Sequence, residues 1–539
     1  MGAGFVEVRF LPMTGRTPRR RSLATRKVTD ITSPTNLGDA MANAVPAATP
    51  SGFDSDTESR SKKQSILIIA LIALMTEIVA FEFTLISPGL TDMAIAFKTN
   101  QVGLVMTVPL LVGGVVVPIL GKLADVHGKK KMLMWASAFF LLGTAICATV
   151  TNFNFFLVGR GLQAVGLASA VICYGLIRDL IPARWVPLGV GGIGVGIGAS
   201  SLGGPLIGGW LIDNHGFRSA FWFLFVYSAV VILATAVFVP ESKVRINHTI
   251  DYLGAALLGL GASSLIFGAI RPDYRAVAFT VGVAMIIAFI VAERRIDQPL
   301  ISMGLLSRPG VWMTLLIAAC YGVYNGANGA LMPQMLRTPA IPGNDESGLG
   351  FTATGYAMHY GLPSGLAAAI CGILGGWLAR RYSPRFVMIF ALTMCLLTAV
   401  LIGVGAVDTP SMTILVAMVA GTGMGLYFVA STNLLIEAVP ANTQAVTGSM
   451  KFTSEQVSGA LSSAFLGALA ANYVLMLNPT TQQPISSVQG FEYGYLICAV
   501  VLVVGIGVAL IMRHGRTPAT GGVSSNQTEN SVSAAQLAH

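Results

Sequence analysis

The chain has 539 residues; 54% are hydrophobic, 11% are charged, and the formal net charge is +9. Soluble globular domains carry about a quarter charged residues, so this composition excludes one and points to a chain threaded many times through a bilayer. The positive balance does not imply nucleic acid, because membrane loops gather Lys and Arg on the cytoplasmic side and no basic stretch interleaved with aromatics occurs.

Residues 1–64 are polar and rich in Arg, Ser, Thr and Pro, which predicts a disordered cytoplasmic tail. No apolar stretch precedes Ser65, so a cleavable leader is not expected. Runs of roughly 20 apolar residues, enough to cross a hydrocarbon core, then recur fourteen times. Spans 1–7 are 65–88, 102–121, 132–151, 154–176, 187–212, 218–239 and 252–270. Spans 8–14 are 276–293, 310–333, 353–379, 386–406, 411–435, 454–476 and 493–512. Residues 513–539 form a second polar tail. An even number of spans places both tails on one side. With that side inside, cytoplasmic segments hold 27 Lys and Arg and outer loops hold five. This asymmetry predicts a multi-pass protein of the cytoplasmic membrane with both termini inside.

Span 1 carries Glu77 and Glu82 at membrane depth. Five residues of helix turn them about 140° apart, so they are not expected to share one proton. Glu82 is suited to hold and release a proton there. For Glu77, cation binding and pairing with a basic group both stay open. Between spans 2 and 3, Gly121-Lys-Leu-Ala-Asp125-Val-His-Gly128-Lys129-Lys130-Lys131 makes a tight basic turn, which the charge asymmetry places inside.

Arg160 is the one Lys or Arg within a span. It costs about 2.5–3.5 kcal/mol on insertion scales, so it is expected to face protein or water and to meet an acid or backbone carbonyls. Span 5 contains Gly191-(x8)-Ser200-(x3)-Gly204-Pro205-Leu-Ile-Gly208-Gly209, where small residues permit close helix approach and Gly-Pro permits a bend. The same span holds Gly189-Val-Gly191-Gly-Ile-Gly194, with Asp213 19 residues on. A dinucleotide fingerprint must follow a strand and open a helix, so no nucleotide cofactor is expected from this membrane-length run. No G-x4-G-K-[ST] occurs either, which argues against ATP drive.

In span 9, Tyr321, Tyr324, Asn325 and Asn328 follow i, i+3, i+4, i+7 and share a face. Tyr356, His359 and Tyr360 make a shorter stripe in span 10. Such a lining suits amphipathic ligands; hydrogen bonding between packed spans is the alternative, and His359 alone is more simply a packing residue. Together with Glu77 and Glu82, the Tyr face predicts a preference for cationic or neutral ligands over anions. The six cysteines show no pairwise spacing, so neither a disulfide nor a metal site is expected.

The chain also repeats itself. Gly121-x-Leu-Ala follows span 2, and Gly376-Trp-Leu-Ala follows span 10. An offset of eight spans aligns spans 1–6 with spans 9–14. The expected architecture is an all-α membrane protein with fourteen transmembrane helices. A six-helix half (65–239) is followed by two inserted helices with linkers (240–308) and a second six-helix half (309–512), and a substrate site lies between the halves.

These motifs resemble the major facilitator superfamily (MFS), in particular its fourteen-span drug:proton antiporters, over nearly all of 65–512. Gly121, Leu123, Asp125, Gly128, Lys129 and Lys130 match the loop signature G-x-L-a-D-r-x-G-r-k, with Val126 at its usual Arg. The resemblance implies a conformational switch, with Asp125 meeting a helix N-terminus. Span 5 is similar to the antiporter signature G-x8-G-x3-G-P-x2-G-G, which implies export. Arg160-Gly-Leu-Gln163-Ala-Val-Gly166 resembles R-x-x-Q-G-x-G, which implies proton coupling. Phe81-Glu82-Phe83-Thr84 resembles L-D-x-T, with Glu82 at the acidic position, but Ser87-Pro88-Gly89 departs from the N-V-A that should follow. The run Gly448–Ala460 is similar to N-T-x-R-Q-x-G-G-A, with Glu455 replacing the Arg, and no role is assigned to that reversal.

The resemblance implies a proton-coupled exporter of lipophilic or amphipathic molecules, of the multidrug or antibiotic efflux type, working by alternating access. Its partners are protons, a small-molecule substrate and the lipid bilayer. A monomer without cofactor, metal or enzymatic activity is expected. A proton-coupled importer of a metabolite, or a non-transporting receptor, is the alternative.

Overall fold

A computed structural model describes residues 62–182, 185–245, 251–296, 299, 301, 303–341, 347–440, 443–477 and 484–519. The expected tails, through residue 61 and from residue 520, lie outside the described residues. The long apolar runs fold as helices, and polar caps stop them. Asn152, Asp251, Thr352, Ser383 and Thr409 each accept backbone amides at a helix N-terminus.

The first part of the chain forms α1 (Lys62–Thr84), a 3₁₀ turn (Ser87–Gly89), α2 (Leu90–Phe97), α3 (Leu104–His127), α4 (Lys129–Thr149), α5 (Phe153–Val165), α6 (Ala168–Leu180), α7 (Val186–His215) and α8 (Phe217–Phe238). Then come α9 (Tyr252–Ile270) and α10 (Arg275–Glu293), which pack together as a hairpin. The remainder is α11 (Met303–Leu306), α12 (Pro309–Arg337), α13 (Ala353–Tyr356), a π turn (Ala357–Gly361), α14 (Leu362–Arg381), α15 (Pro384–Gly403), α16 (Pro410–Ala438), α17 (Gln444–Ala470), strands β1 (Val474–Leu477) and β2 (Pro484–Ser486), and α18 (Val488–Ile511).

Three differences from expectation have physical causes. Span 4 is broken into α5 and α6 at Gly166 and Leu167, where bonds to Gln163 and Ala164 tighten the turn against the Phe140 ring. Span 13 is shifted: α17 starts ten residues before 454 and ends at Ala470. Its polar side chains are sheltered because Thr453, Ser454 and Ser462 donate hydroxyls to Gly114, Leu315 and Val323 carbonyls of neighbouring helices. The apolar residues that seemed to end the span form β1, which pairs antiparallel with β2. Third, twelve helical segments among the described residues, rather than fourteen, are long and apolar enough to cross a membrane. The remaining long helices are α12 and α17, at 29 and 27 residues, and both carry polar residues along their length.

α1 packs on α7, and α3 on α5; α12 packs on α17 and α18, and α16 on α14 and α15. The hairpin helix α9 lies against both α3 and α17. There Ala262 and Ile266 meet Leu110 and Leu111 on one side and Ala460 and Ala464 on the other.

Candidate functional site

Glu82 of α1 and Arg160 of α5 meet inside the bundle, Oε1 to Nη1 at 3.3 Å, and both are fully buried. Arg160 Nε donates to the Val105 carbonyl at 3.0 Å and Nη1 donates to Gln163 Oε1 at 2.6 Å. Gln163 Nε2 in turn donates to Thr144 Oγ1 at 2.9 Å. The guanidinium is thus held by three groups, whereas neither Glu82 oxygen has a hydrogen bond and Arg160 Nη2 is also unbonded. The carboxyl has given up its hydration for one ionic contact, a demanding arrangement for a buried charge. Sequence reasoning asked for an acid near Arg160, and the structure supplies Glu82. It also gives Arg160 the backbone carbonyl that was the alternative.

Glu77 points elsewhere. Its Oε2 accepts from the Tyr227 hydroxyl at 2.8 Å, and its side chain abuts Gly196 of α7. With Glu82 beside Arg160 and Glu77 beside Tyr227, the two acids do not combine into one cation-attracting surface.

The basic turn is a charge cluster built around Lys129, which is buried. Its Nζ lies 3.1 Å from Asp125 and 2.7 Å from Asp179 of α6. Ser242 donates to Asp179 at 2.6 Å. Gly128 makes the turn with φ +116°, a conformation that L side chains resist. The amides of Lys130 and Lys131 at the N-terminus of α4 donate to Glu241 at 2.9 Å each. Glu241, from the segment after α8, thus meets the N-terminus of α4. Gly121 lies one turn and more before Asp125, beside Val171 of α6.

In α7 the glycines act by proximity. A Cβ at Gly204 or Gly208 would overlap Thr84 or the Leu85 carbonyl of the segment ending α1. Gly209 abuts the Ala353 carbonyl, and Pro205 faces Gly361. Gly191 faces open space.

The polar stripe of α12 divides. Tyr321 stacks on Tyr427 of α16 with centroids 3.5 Å apart, and the Tyr321 and Tyr324 hydroxyls are buried without a hydrogen bond. Asn328 Oδ1 accepts from Tyr360 at 2.6 Å and Tyr495 at 3.1 Å, knitting three helices together. Asn325 is half-buried. His359 shares a hydrogen bond with the Gly355 carbonyl at 2.8 Å and stacks on Phe351. Glu455, left without a role by the sequence, accepts from Tyr427 and lies 2.8 Å from Lys451.

A further set of residues joins the early helices to the late ones at the end opposite Gly128. Arg337 of α12 donates to Asp92 of α2 at 2.5 Å and to the Pro88 carbonyl. Asp213 of α7 accepts the amides of Ala353 and Thr354 at 2.9 and 2.8 Å, at the start of α13. The Thr107 and Ser463 hydroxyls are 2.6 Å apart. Sequence reasoning missed these joints. Arg337 counted only as a loop charge, and Asp213 only as part of a rejected nucleotide motif.

A family model described as Major Facilitator Superfamily matches residues 72–463 and 313–536. The chain is 24% identical to a uridine/deoxyuridine transporter of Lactococcus lactis over 413 residues, covering 72% of this chain and 83% of that protein. It is 25% identical to a multidrug resistance protein B homolog of Mycobacterium tuberculosis over 472 residues, covering 80% and 83%. It is also 25% identical to multidrug resistance protein 3 of Bacillus subtilis over 321 residues, covering 58% and 61%. Among solved structures, a bacterial homolog of the human lysosomal transporter Spinster, inward-facing and unoccupied, superposes with a TM-score of 0.62 at 15% identity, covering 84% of this chain and 98% of that one.

Proposed function

The chain belongs to the major facilitator superfamily, a family of multi-pass transporters of small molecules, and from that premise we propose that it is a proton-coupled exporter of lipophilic or amphipathic compounds. The observation that carries the reading is the Glu82–Arg160 contact. A carboxyl with one ionic neighbour and no hydrogen bond, deep among apolar helices, is well placed to exchange a proton during a transport cycle. The antiporter-like run of α7 and the two relatives named for multidrug resistance favour export. The relative named as a uridine/deoxyuridine transporter favours a second reading, import of a metabolite by the same machinery.

In this proposal α12 and α17 also cross the bilayer, which makes fourteen spans. Their polar residues are sheltered by neighbouring helices, so they need not be as apolar as the other twelve. The helices α1–α8 and α12–α18 then form two halves about a central path, with α9 and α10 inserted between them, and the protein works as a monomer. The Gly128 end is cytoplasmic on the charge asymmetry. The joints at Asp92–Arg337 and Asp213–Ala353 then close the outer face, and the arrangement is inward-open. Each proton moving inward contributes about 2.3 kcal/mol per 100 mV, plus the pH term.

The test is transport in proteoliposomes under an imposed pH gradient, with a panel of dyes and drugs and a lumenal pH probe. Wild type should move substrate against its gradient with counterflow of protons. Glu82→Gln should lose the gradient-driven component and keep ligand binding. Uphill transport by the Gln variant at the wild-type rate would remove Glu82 from the mechanism. Substrate and proton moving in the same direction would establish the importer.

A further inference from the structure

Between α16 and α17, three side chains form a small cage around a cation that belongs to the protein itself. The Lys451 ammonium lies 2.8 Å from Glu455 Oε1. It also lies 5.5 Å from the Tyr427 ring centroid and 5.6 Å from that of Phe428, and those rings meet edge-on at 5.7 Å. Tyr427 donates its hydroxyl to Glu455, which fixes the carboxylate beside the rings. Tyr321 stacks on Tyr427 and braces it. The Tyr321 hydroxyl, on a residue 1% exposed, has no hydrogen-bond partner, so a donor sits idle beside the cage. The Lys451 and Glu455 side chains keep 12% and 13% exposure, so the cage is sheltered but reachable.

A carboxylate flanked by aromatic faces is a receptor for a large, weakly hydrated cation. A lysine is a poor permanent occupant. Its compact ammonium is strongly hydrated, and its four-carbon stem can swing away. We propose that Glu455, Tyr427 and Phe428 form a binding site for lipophilic aromatic cations, and that Lys451 is a tethered competitor which holds the site until such a ligand displaces it. This rests on the transporter reading above and narrows its substrate class. It uses neither Glu82 nor Glu77. The lysine keeps the carboxylate neutralised when no ligand is bound, so the site presents no unpaired charge between transport events, and a neutral ligand gains nothing from displacing it.

The test uses the purified full chain, with tetraphenylphosphonium as the cation and triphenylphosphine oxide as the neutral probe, in equilibrium binding. Lys451→Met should tighten tetraphenylphosphonium binding by about fivefold or more, because the competitor is gone while the rings and carboxylate remain. Lys451→Gln, which keeps a polar tip for folding, should tighten it as well. Glu455→Gln should weaken it by about tenfold or more. Neutral-probe binding should stay at the wild-type level in all three, and an unchanged melting temperature in detergent reports that each variant is folded.

Unchanged or weaker cation binding in both Lys451 variants overturns the proposal. So does wild-type cation binding in Glu455→Gln, or cation binding in no form of the protein. The same preparations, assayed for proton-driven transport, separate this inference from the functional reading. Transport that persists while the cation predictions fail sinks only the cage. Cation binding as predicted, without any proton-driven transport in wild type, sinks only the coupling.

Discussion

Arg160 has more bonds than its acidic neighbour needs. It reaches Val105, Gln163 and Glu82, while Glu82 has only Arg160. Removing one member of a buried pair costs about 3–5 kcal/mol, because the survivor is left charged and dry, whereas removing both is milder. Arg160→Met should therefore lower the thermal stability of the detergent-solubilised protein by an amount of that order, and adding Glu82→Gln should recover most of the loss. Equal melting losses in the single and double variants would show that the bonds to Val105 and Gln163, rather than the charge pairing, make Arg160 structurally necessary. This pairing was legible in the sequence because charge at membrane depth must be answered. The role of Glu455 was not, since Tyr427 lies 28 residues away and only the fold brings it near.

At the scale of the element, the Gly128 turn ties the start of α4 to α6 and to the segment after α8. Lys129 touches two acids at once, and Asp179 is the closer and more buried of them. Asp125→Asn should thus leave the fold intact, since Lys129 keeps its closer partner Asp179. It should slow transport turnover while substrate affinity stays at the wild-type value. Direct binding beside initial transport rates would check this; a loss of affinity with turnover preserved would place Asp125 on the ligand path instead. Element boundaries show where hydropathy misleads. It located the helices that face lipid to within a few residues, but it displaced span 13 because α17 buries its polar half against α3 and α12. Apolarity is demanded where lipid is the neighbour, and it is relaxed where protein is.

For the whole molecule, the joints at Asp92–Arg337 and Asp213–Ala353 favour the arrangement closed at that end. Arg337→Ala removes both the ion pair and the bond to Pro88, and Asp213→Asn weakens the hold on α13. Each should shift the population toward an arrangement open at that end. Spin labels at Asn100 and Ser411 would report it as a longer distance component, and unchanged distance distributions in both variants would show that helix packing alone keeps the end shut. Nothing in the sequence marked these residues, because charges at the ends of spans are ordinary; their significance comes from partners up to 249 residues away. The α9–α10 hairpin adds a different consequence. It packs against both α3 and α17 and so straps them together, whereas α7 meets α14 directly. In the proposed rocking of the two halves, a hairpin seated on both α3 and α17 must slide or bend as they part, so it holds that joint as a strap.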